Sequence, residues 1–148
     1  MARLRVDAID VLIDDLSSLA TLPDTVLEDI LNAEADVIVQ AQRAEIERQW
    51  KGPYSMRISA KSVKKDRKMK GLGDRGFYHF INIYPQGTRT RGEESIRNAE
   101  IAFINEYGAP SRGIAARPAL GPATERKKRE AVEAGEKVYH AYLDSKNL

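Results

Sequence analysis

Histidines and paired carboxylates are the residues of this sequence whose chemistry could support catalysis or metal binding. The chain has two histidines, His79 and His140. A catalytic histidine needs a nucleophile and an orienting group that converge on it, and no local spacing here supplies them. The acidic pairs at positions 14–15 and 93–94 are typical of solvated surface or helix-end charges. We therefore expect no catalytic residue, no metal ligand and no cofactor, and a protein that is not an enzyme.

Other reactive groups are equally scarce in the sequence. The chain has no cysteine, which excludes disulfides, thiolate chemistry and zinc–cysteine sites. The glycine-rich residues 71–76 lack the phosphate-binding pattern G-x-x-x-x-G-K-[ST] and its strand-to-helix context. A hydrolase or nuclease would require acidic residues to converge on His79 in the folded chain.

Length and composition indicate one folded domain, residues 1–148. The 148 residues are 42% hydrophobic and 31% charged, enough apolar material for a core. The longest apolar runs are far too short to span a membrane, so we expect no membrane contact. Acidic residues interrupt the N-terminal segment, which argues against a secretory signal.

Charge is distributed in blocks along the chain. Residues 1–50 carry a net charge of −7, residues 51–92 of +9, and residues 93–148 of 0. A basic segment, residues 57–75, contains Arg57, Lys61, Lys64, Lys65, Arg67, Lys68, Lys70 and Arg75. Its charge density suits contact with nucleic-acid phosphates, while solvated charges along a sheet edge would give the same composition. Opposed blocks also suit contact between neighbouring copies.

Hydrophobic periodicity predicts three helices. Val6, Ile9, Ile13 and Leu16 form the apolar face of an N-terminal helix within residues 1–22, which could be peripheral to the core. A second, long helix is predicted over residues 24–50, a stretch that contains neither Pro nor Gly. A C-terminal helix is predicted over residues 123–143, with Pro122 in its first turn. Its Gly135 suggests the close approach of another backbone.

Three strands are predicted between the long helices, near residues 62–69, 77–84 and 98–107. Apolar residues on both faces of 98–107 favour a central strand. Residues 70–76 and 86–97 are predicted to be mobile loops. The resulting fold class is α+β, with a small antiparallel sheet of about three to four strands packed by a long N-terminal helix and a C-terminal helix.

An irregular arm is predicted between Gly108 and the last helix. Pro110, Pro118 and Pro122 exclude regular structure here, and Pro118 holds Arg117 extended. The Arg117 side chain is then available for a salt bridge or a carbonyl contact. Whether the arm packs within one subunit or against a neighbour is left open by the sequence.

The same region resembles a protein family of long-tailed bacteriophages and prophages. The matching residues are Glu106, Tyr107, Gly108, Ala116, Arg117, Pro118, Leu120, Pro122 and Ala123. They are similar to the C-terminal pattern of the head–tail joining, or tail-completion, neck proteins called gene-product-ten-like. The resemblance extends more weakly over residues 26–143, through Ile58, Ser62 and Val63. Ala109 and Ala119 stand where the family commonly has threonine and a larger apolar residue.

The resemblance implies a structural virion protein without catalysis or a cofactor. Such a protein forms a ring of its own copies, hexamer-like or larger on the particle, at the head–tail interface. Its implied partners are the head connector or stopper protein and the tail-tube or tail-terminator proteins, with host cytoplasm as its location before assembly. We expect the contacts at Tyr107, Gly108, Arg117 and Pro118 and at Lys64, Lys65, Arg67 and Lys68. The alternative is a DNA-binding protein that uses residues 57–75; nonspecific DNA contact could also accompany assembly.

Overall fold

The first described element is a long helix, α1. The computed structural model describes residues 22–52 and 57–147, so the helix expected within residues 1–22 lies almost wholly outside the described residues. Helix α1 spans Asp24–Gln49. Pro23 lies directly before it, where a missing N–H group costs nothing. The prediction of a helix over 24–50 is confirmed.

Helix α3, Leu120–Ser145, packs along α1 and confirms the predicted C-terminal helix. Gly135 lies where the two helices meet. A Cβ atom at this position would lie 2.4 Å from the Glu34 Oε1 atom. Gly135 therefore makes room for the Glu34 side chain of α1. The sequence had suggested that it makes room for a backbone.

A long antiparallel hairpin follows α1, after a 3₁₀ turn at Ala60–Ser62. Its strands are β1 Val63–Lys65, β2 Met69–Gly73, β3 Gly76–Phe80 and β4 Ile83–Pro85. β1 pairs with β4 at the base, and β2 pairs with β3 at the tip. Between these ladders residues 66–68 face residues 81–82, so one extra residue shifts the register, as in a β-bulge. The two predicted strands lie here, while the predicted loop 70–76 is mostly strand.

The prediction of a central strand over 98–107 is wrong. Asn98–Tyr107 forms a helix, α2, which ends at Gly108. Its buried residues are Ile101, Ala102, Asn105 and Glu106, a helical spacing that places Phe103 and Tyr107 on the opposite side. The apolar residues on both sides of a supposed strand are therefore the inner and outer faces of a short helix.

The prediction of a loop over 86–97 is also wrong. This segment forms a second hairpin, β5 Thr88–Arg91 and β6 Glu94–Arg97, with Gly92 at its turn in a left-handed conformation. Its glycines and charges suggested a loop. Cross-strand pairs such as Arg89 with Ile96 and Thr90 with Ser95 instead continue the pairing up to the turn.

One core lies between α1, the base of the long hairpin, α2 and the start of α3. Its buried apolar residues are Val39, Ile46, Trp50, Ile58, Ala60, Val63, Ile101, Ala102 and Ala119. The α+β class is confirmed, with strands that pair two by two and the long helices packed together. Within residues 22–52 and 57–147, no helix is long and apolar enough to cross a membrane.

Candidate functional site

The motif residue Glu106 caps the N-terminus of α3. Its Oε2 atom accepts hydrogen bonds from the N–H groups of Ala119 and Leu120, at 2.8 and 2.9 Å. Its Oε1 atom accepts from Gly121 N–H at 2.8 Å. The side chain comes from the last turn of α2, where Glu106 is only 7% exposed. A carboxylate at this end of a helix also interacts favourably with the helix dipole.

This cap completes the hydrogen bonding of the first turn of α3. Ala119 precedes the helix, and its methyl side chain has no acceptor to offer the first free N–H groups. Pro122 has no N–H group, and Ala123 N–H already donates to Ala119 O at 3.1 Å. Glu106 accepts from the remaining three donors. The motif thus keeps Glu106 and the Ala-Arg-Pro segment at the separation that lets the glutamate cap α3.

The arm, residues 109–119, is held by bonds within the same chain. Arg117 N–H donates to Asn105 O at 2.7 Å, and Trp50 Nε1–H donates to Arg117 O at 2.8 Å. The Arg117 guanidinium donates to Lys51 O, just after the end of α1, at 3.3 Å. The expected carbonyl contact of Arg117 is therefore present, and it is intramolecular. Trp50 is 3% exposed and is a core anchor.

Gly108 makes the sharp exit from α2 that brings the arm back. Its φ is 76°, a left-handed value that favours glycine. A Cβ atom here would lie 2.8 Å from both Ala116 N and Ile114 O. Gly108 was expected at the end of a strand and to make contacts; the structure places it against its own arm, at the end of a helix. The exposed Pro118 follows Arg117 on that arm.

Tyr107 points away from this junction, which we define as Glu106, Gly108, the arm and Trp50. Tyr107 is 67% exposed and its neighbour Phe103 is 63% exposed. Their ring centroids lie 4.9 Å apart on one face of α2. An exposed aromatic pair of this kind is typical of a contact surface. The sequence did not predict a contact at Phe103, because residues 103 and 107 are neighbours on a helix but lie far apart on the strand that was expected here.

The basic segment is partly neutralised within the chain. Lys65 Nζ lies 2.7 Å from Asp36 Oδ1, and Lys68 Nζ lies 3.5 Å from Asp24 Oδ1, both on α1. Lys64 and Arg67 are exposed. The fold therefore sets part of the basic block against part of the acidic block in one copy. Of the four predicted contact residues in this segment, two remain exposed to solvent.

The tip of the long hairpin, residues 69–80, exposes large apolar side chains. Leu72 faces Phe77 across the strands, and they are 73% and 68% exposed. Tyr78 is 52% exposed on the other face, over Gly71. Lys70 Nζ lies 4.2 Å from the centre of the Phe77 ring. The pairing brings aromatic rings beside bases that are several residues away in sequence, so the sequence alone did not identify this cluster.

The two histidines are far apart in the chain and lie on different elements. His79 faces Lys70 across the hairpin, and His140 is exposed on α3. Among the described residues, the Nδ1 atom of His79 finds no hydrogen-bond partner. The same part of the chain contains no group of three or more histidine or acidic side chains able to hold a metal ion.

One carboxylate with a strongly shifted pKa joins the two long helices. Hydrogen bonds from Arg48 and Gln49 and the nearby charge of Arg126 lower the pKa of Glu45 to about 2. Arg126 Nη2 on α3 lies 2.8 Å from Glu45 Oε2 on α1. The Glu45 side chain is mostly buried and the Arg126 side chain is about half exposed, so the ion pair links the two helices at the border of their contact.

Fold and junction together define a small α+β domain in which two long packed helices carry projecting β-hairpins. Neither a scan against protein-family models nor searches of the curated proteins and of the solved structures finds a match to this chain. The likeness to head–tail joining proteins therefore rests on the motif residues and stays a prediction.

Proposed function

We propose that this protein is a structural virion component that joins head and tail in a long-tailed bacteriophage. In this proposal its copies form a ring at the head–tail interface, after synthesis in the host cytoplasm. The ring binds the head connector or stopper on one side and tail-tube or terminator proteins on the other. The resemblance within residues 100–123 supports this particular class of protein.

One observation carries the proposal. Within a single motif, Glu106 and Gly108 are used inside the fold, while Tyr107 between them is turned to solvent beside Phe103. The inward residues explain why the motif builds a stable junction. The outward aromatic pair has no such role in the described part of the chain, and it is the kind of surface that a partner buries. The function that fits this arrangement is assembly.

A binding experiment with paired variants tests the proposal. The purified chain is mixed with the connector and tail proteins encoded in the same genome, and complexes are measured by native mass spectrometry. We expect the wild-type chain to bind at least one of them. Phe103→Ser/Tyr107→Ser should weaken that binding at least about tenfold, because aromatic anchors commonly contribute most of the interface free energy.

The matched control is Tyr84→Ser, which removes an exposed aromatic ring from β4. It should bind like the wild type, and all three chains should show the same circular dichroism. Failure of the wild-type chain to bind any head or tail protein would contradict the proposed function. Binding unaffected by the Phe103/Tyr107 change would contradict the assigned surface.

DNA binding through residues 57–75 is the second candidate, and one observation favours it. The hairpin places the exposed aromatic residues Phe77 and Tyr78 beside Lys70 and Arg75, a combination that suits stacking on bases and pairing with phosphates. A gel-shift titration over a range of salt concentrations tests this candidate. Phosphate binding predicts an affinity that falls steeply with salt, and Lys70→Gln/Arg75→Gln should reduce the slope by about two. Absence of binding at low salt would exclude it.

A further inference from the structure

The tip of the long hairpin exposes apolar side chains on both of its faces. Paired residues of antiparallel strands share a face and successive residues alternate, so Leu72 and Phe77 lie on one face and Tyr78 on the other. An isolated two-stranded hairpin is at best marginally stable in water. Such a tip gains stability when another surface covers it.

No described element of the same chain covers this tip. Lys68, at the base of β2, pairs with Asp24, the first residue of α1. Strand β2 then continues for five residues, about 17 Å, past that point. The tip therefore projects beyond the start of α1, and the β-ladder keeps it from folding back.

A groove of complementary character lies between α1, α3 and the base of the hairpin. It has a volume of about 430 Å³. Apolar side chains line it, among them Leu31, Ile38, Ile81, Ile83 and Val132. Val132 is 46% exposed, so the apolar lining continues to the surface. The groove is large enough to take side chains such as leucine and phenylalanine.

The charges at the two surfaces are complementary as well. Glu34 and Glu125 line the groove together with Lys128, and none of the three forms an ion pair within the described residues. Burial raises the pKa of Glu34, so a cation brought close to its carboxylate would be favourable. The tip carries two exposed bases, Lys70 and Arg75, and one exposed acid, Asp74. Its bases outnumber its acids, so a base brought by the tip would pair with Glu34 or Glu125.

We propose that the hairpin tip of one copy inserts Leu72 and Phe77 into this groove on a second copy. Tip and groove are different surfaces, so the contact is head-to-tail and can repeat around a closed ring. The inference rests on the proposed function, because it names the self-contact of the same assembly. A tip buries less than the roughly 800 Å² per partner of a stable complex, so free chains associate weakly and the contact is populated at high concentration.

The absence of cysteine from the chain allows a direct test by engineered disulfides. Leu72→Cys and Val132→Cys chains are mixed at high concentration and oxidised under mild conditions. We expect the mixed disulfide dimer to exceed the twofold excess over each homodimer that random pairing of equal amounts gives. The control pairs Leu72→Cys with Ala44→Cys, because Ala44 is exposed and lines a different groove on the other side of the same helices. Equal crosslinking at positions 44 and 132, or none at 132, would overturn the proposal.

A double variant separates contact between copies from contact within one chain. Leu72→Cys/Val132→Cys should give a ladder of dimers, trimers and larger species, because every copy offers both surfaces. A cyclised monomer without a ladder would place the contact within one chain and overturn the proposal. Protection of the cysteine at position 132 from alkylation, lost when residues 1–21 are deleted, would likewise show a different occupant of the groove.

Substitution of the tip gives an independent readout. Leu72→Ser/Phe77→Ser should leave thermal unfolding nearly unchanged, since both side chains are mostly exposed, and should weaken self-association at least about tenfold. Unchanged self-association would contradict the docking. The two proposals can fail separately. If the cysteine variants bind head or tail proteins but form no 72–132 disulfide, either as free chains or within that complex, the docking contact is wrong and the proposed function stands. If the disulfide forms but the chain binds no head or tail protein, the proposed function is wrong and the contact stands.

Discussion

Glu106 shows how a single side chain can organise a segment far from it in sequence. Its two oxygens satisfy three N–H donors at the start of α3, where no neighbouring side chain is able to do so. The bonds are charge-assisted, one of them buried and two partly buried, which makes them stronger than ordinary helix caps. Glu106 therefore stabilises the fold, while the side chain of the adjacent Tyr107 is exposed and available to a partner.

Removal of this carboxylate should destabilise the protein. We expect Glu106→Ala to lower the free energy of unfolding by about 3 kcal/mol, because three donors, one of them buried, lose their charged acceptor. Glu106→Gln should cost less, about 1–2 kcal/mol, because one amide oxygen still accepts. Urea denaturation followed by circular dichroism measures both values.

The matched control for Glu106 is Glu133→Gln, which removes an exposed carboxylate that pairs with Arg129 within α3. Its effect should stay within about 0.5 kcal/mol. A Glu106→Ala chain as stable as this control would show that the cap contributes little.

At the scale of elements, the contact between α1 and α3 organises the molecule. Gly135 allows Glu34 to lie across the helix, Gln42 Nε2 donates to Thr124 Oγ1 at 3.0 Å, and Glu45 pairs with Arg126. Arg43 on α1 also donates twice to Val63 O, at 3.0 and 2.8 Å, which fastens the base of the long hairpin to the helix. Among residues 22–52 and 57–147, the contacts that hold the hairpin to α1 are thus at its base.

The lowered pKa of Glu45 predicts how stability depends on pH. Its folded pKa of about 2 lies below the ordinary value of 4.5, so its contribution is fully present above about pH 5. That contribution declines as the pH falls towards 2 and the carboxylate takes up a proton. We expect the stability difference between wild type and Glu45→Gln to shrink over this range, measured by urea denaturation at pH 6 and pH 2.5.

The pH prediction has a control and a contrary outcome. Arg126→Gln removes the partner of Glu45 on α3 but leaves Arg48 and Gln49 in place. In this background the effect of Glu45→Gln on stability should therefore still shrink between pH 6 and pH 2.5, but by less than in the wild type. A difference between wild type and Glu45→Gln that is the same at both pH values would contradict the assigned role of the carboxylate.

At the scale of the whole molecule, charge and apolar surface are unevenly distributed. The acidic helix α1 lies against the basic hairpin at its base, where Lys65 and Lys68 find their partners. Beyond that base, Lys70 and Arg75 stay exposed on the tip, while Glu28 and Asp29 stay exposed on α1. These remaining charges favour encounter between different surfaces of two copies over encounter between identical surfaces. A head-to-tail ring requires such contact between different surfaces of neighbouring copies.

The sequence by itself determined the two long helices and the α+β class. Both helices are long periodic stretches with a proline at or near their start, Pro23 and Pro122. Such local signals predict helices well, because helical hydrogen bonds and caps join residues only a few positions apart. The hairpin strands were likewise predicted near their places from aromatic and β-branched residues. The sequence also singled out the segment from Glu106 to Ala123 as a unit.

Only the tertiary structure decided what that unit does. The ten-residue segment of helix α2 satisfies the apolar periodicity of a strand as well as that of a helix, and its buried face is set by packing against β4 and β6. Which motif residue caps α3, and which faces solvent, depends on contacts between residues 13 to 67 positions apart. The same holds for the hairpin tip, where strand register places Leu72 opposite Phe77. Local pattern does not encode such contacts, because the free energy that selects them comes from burial in the assembled core.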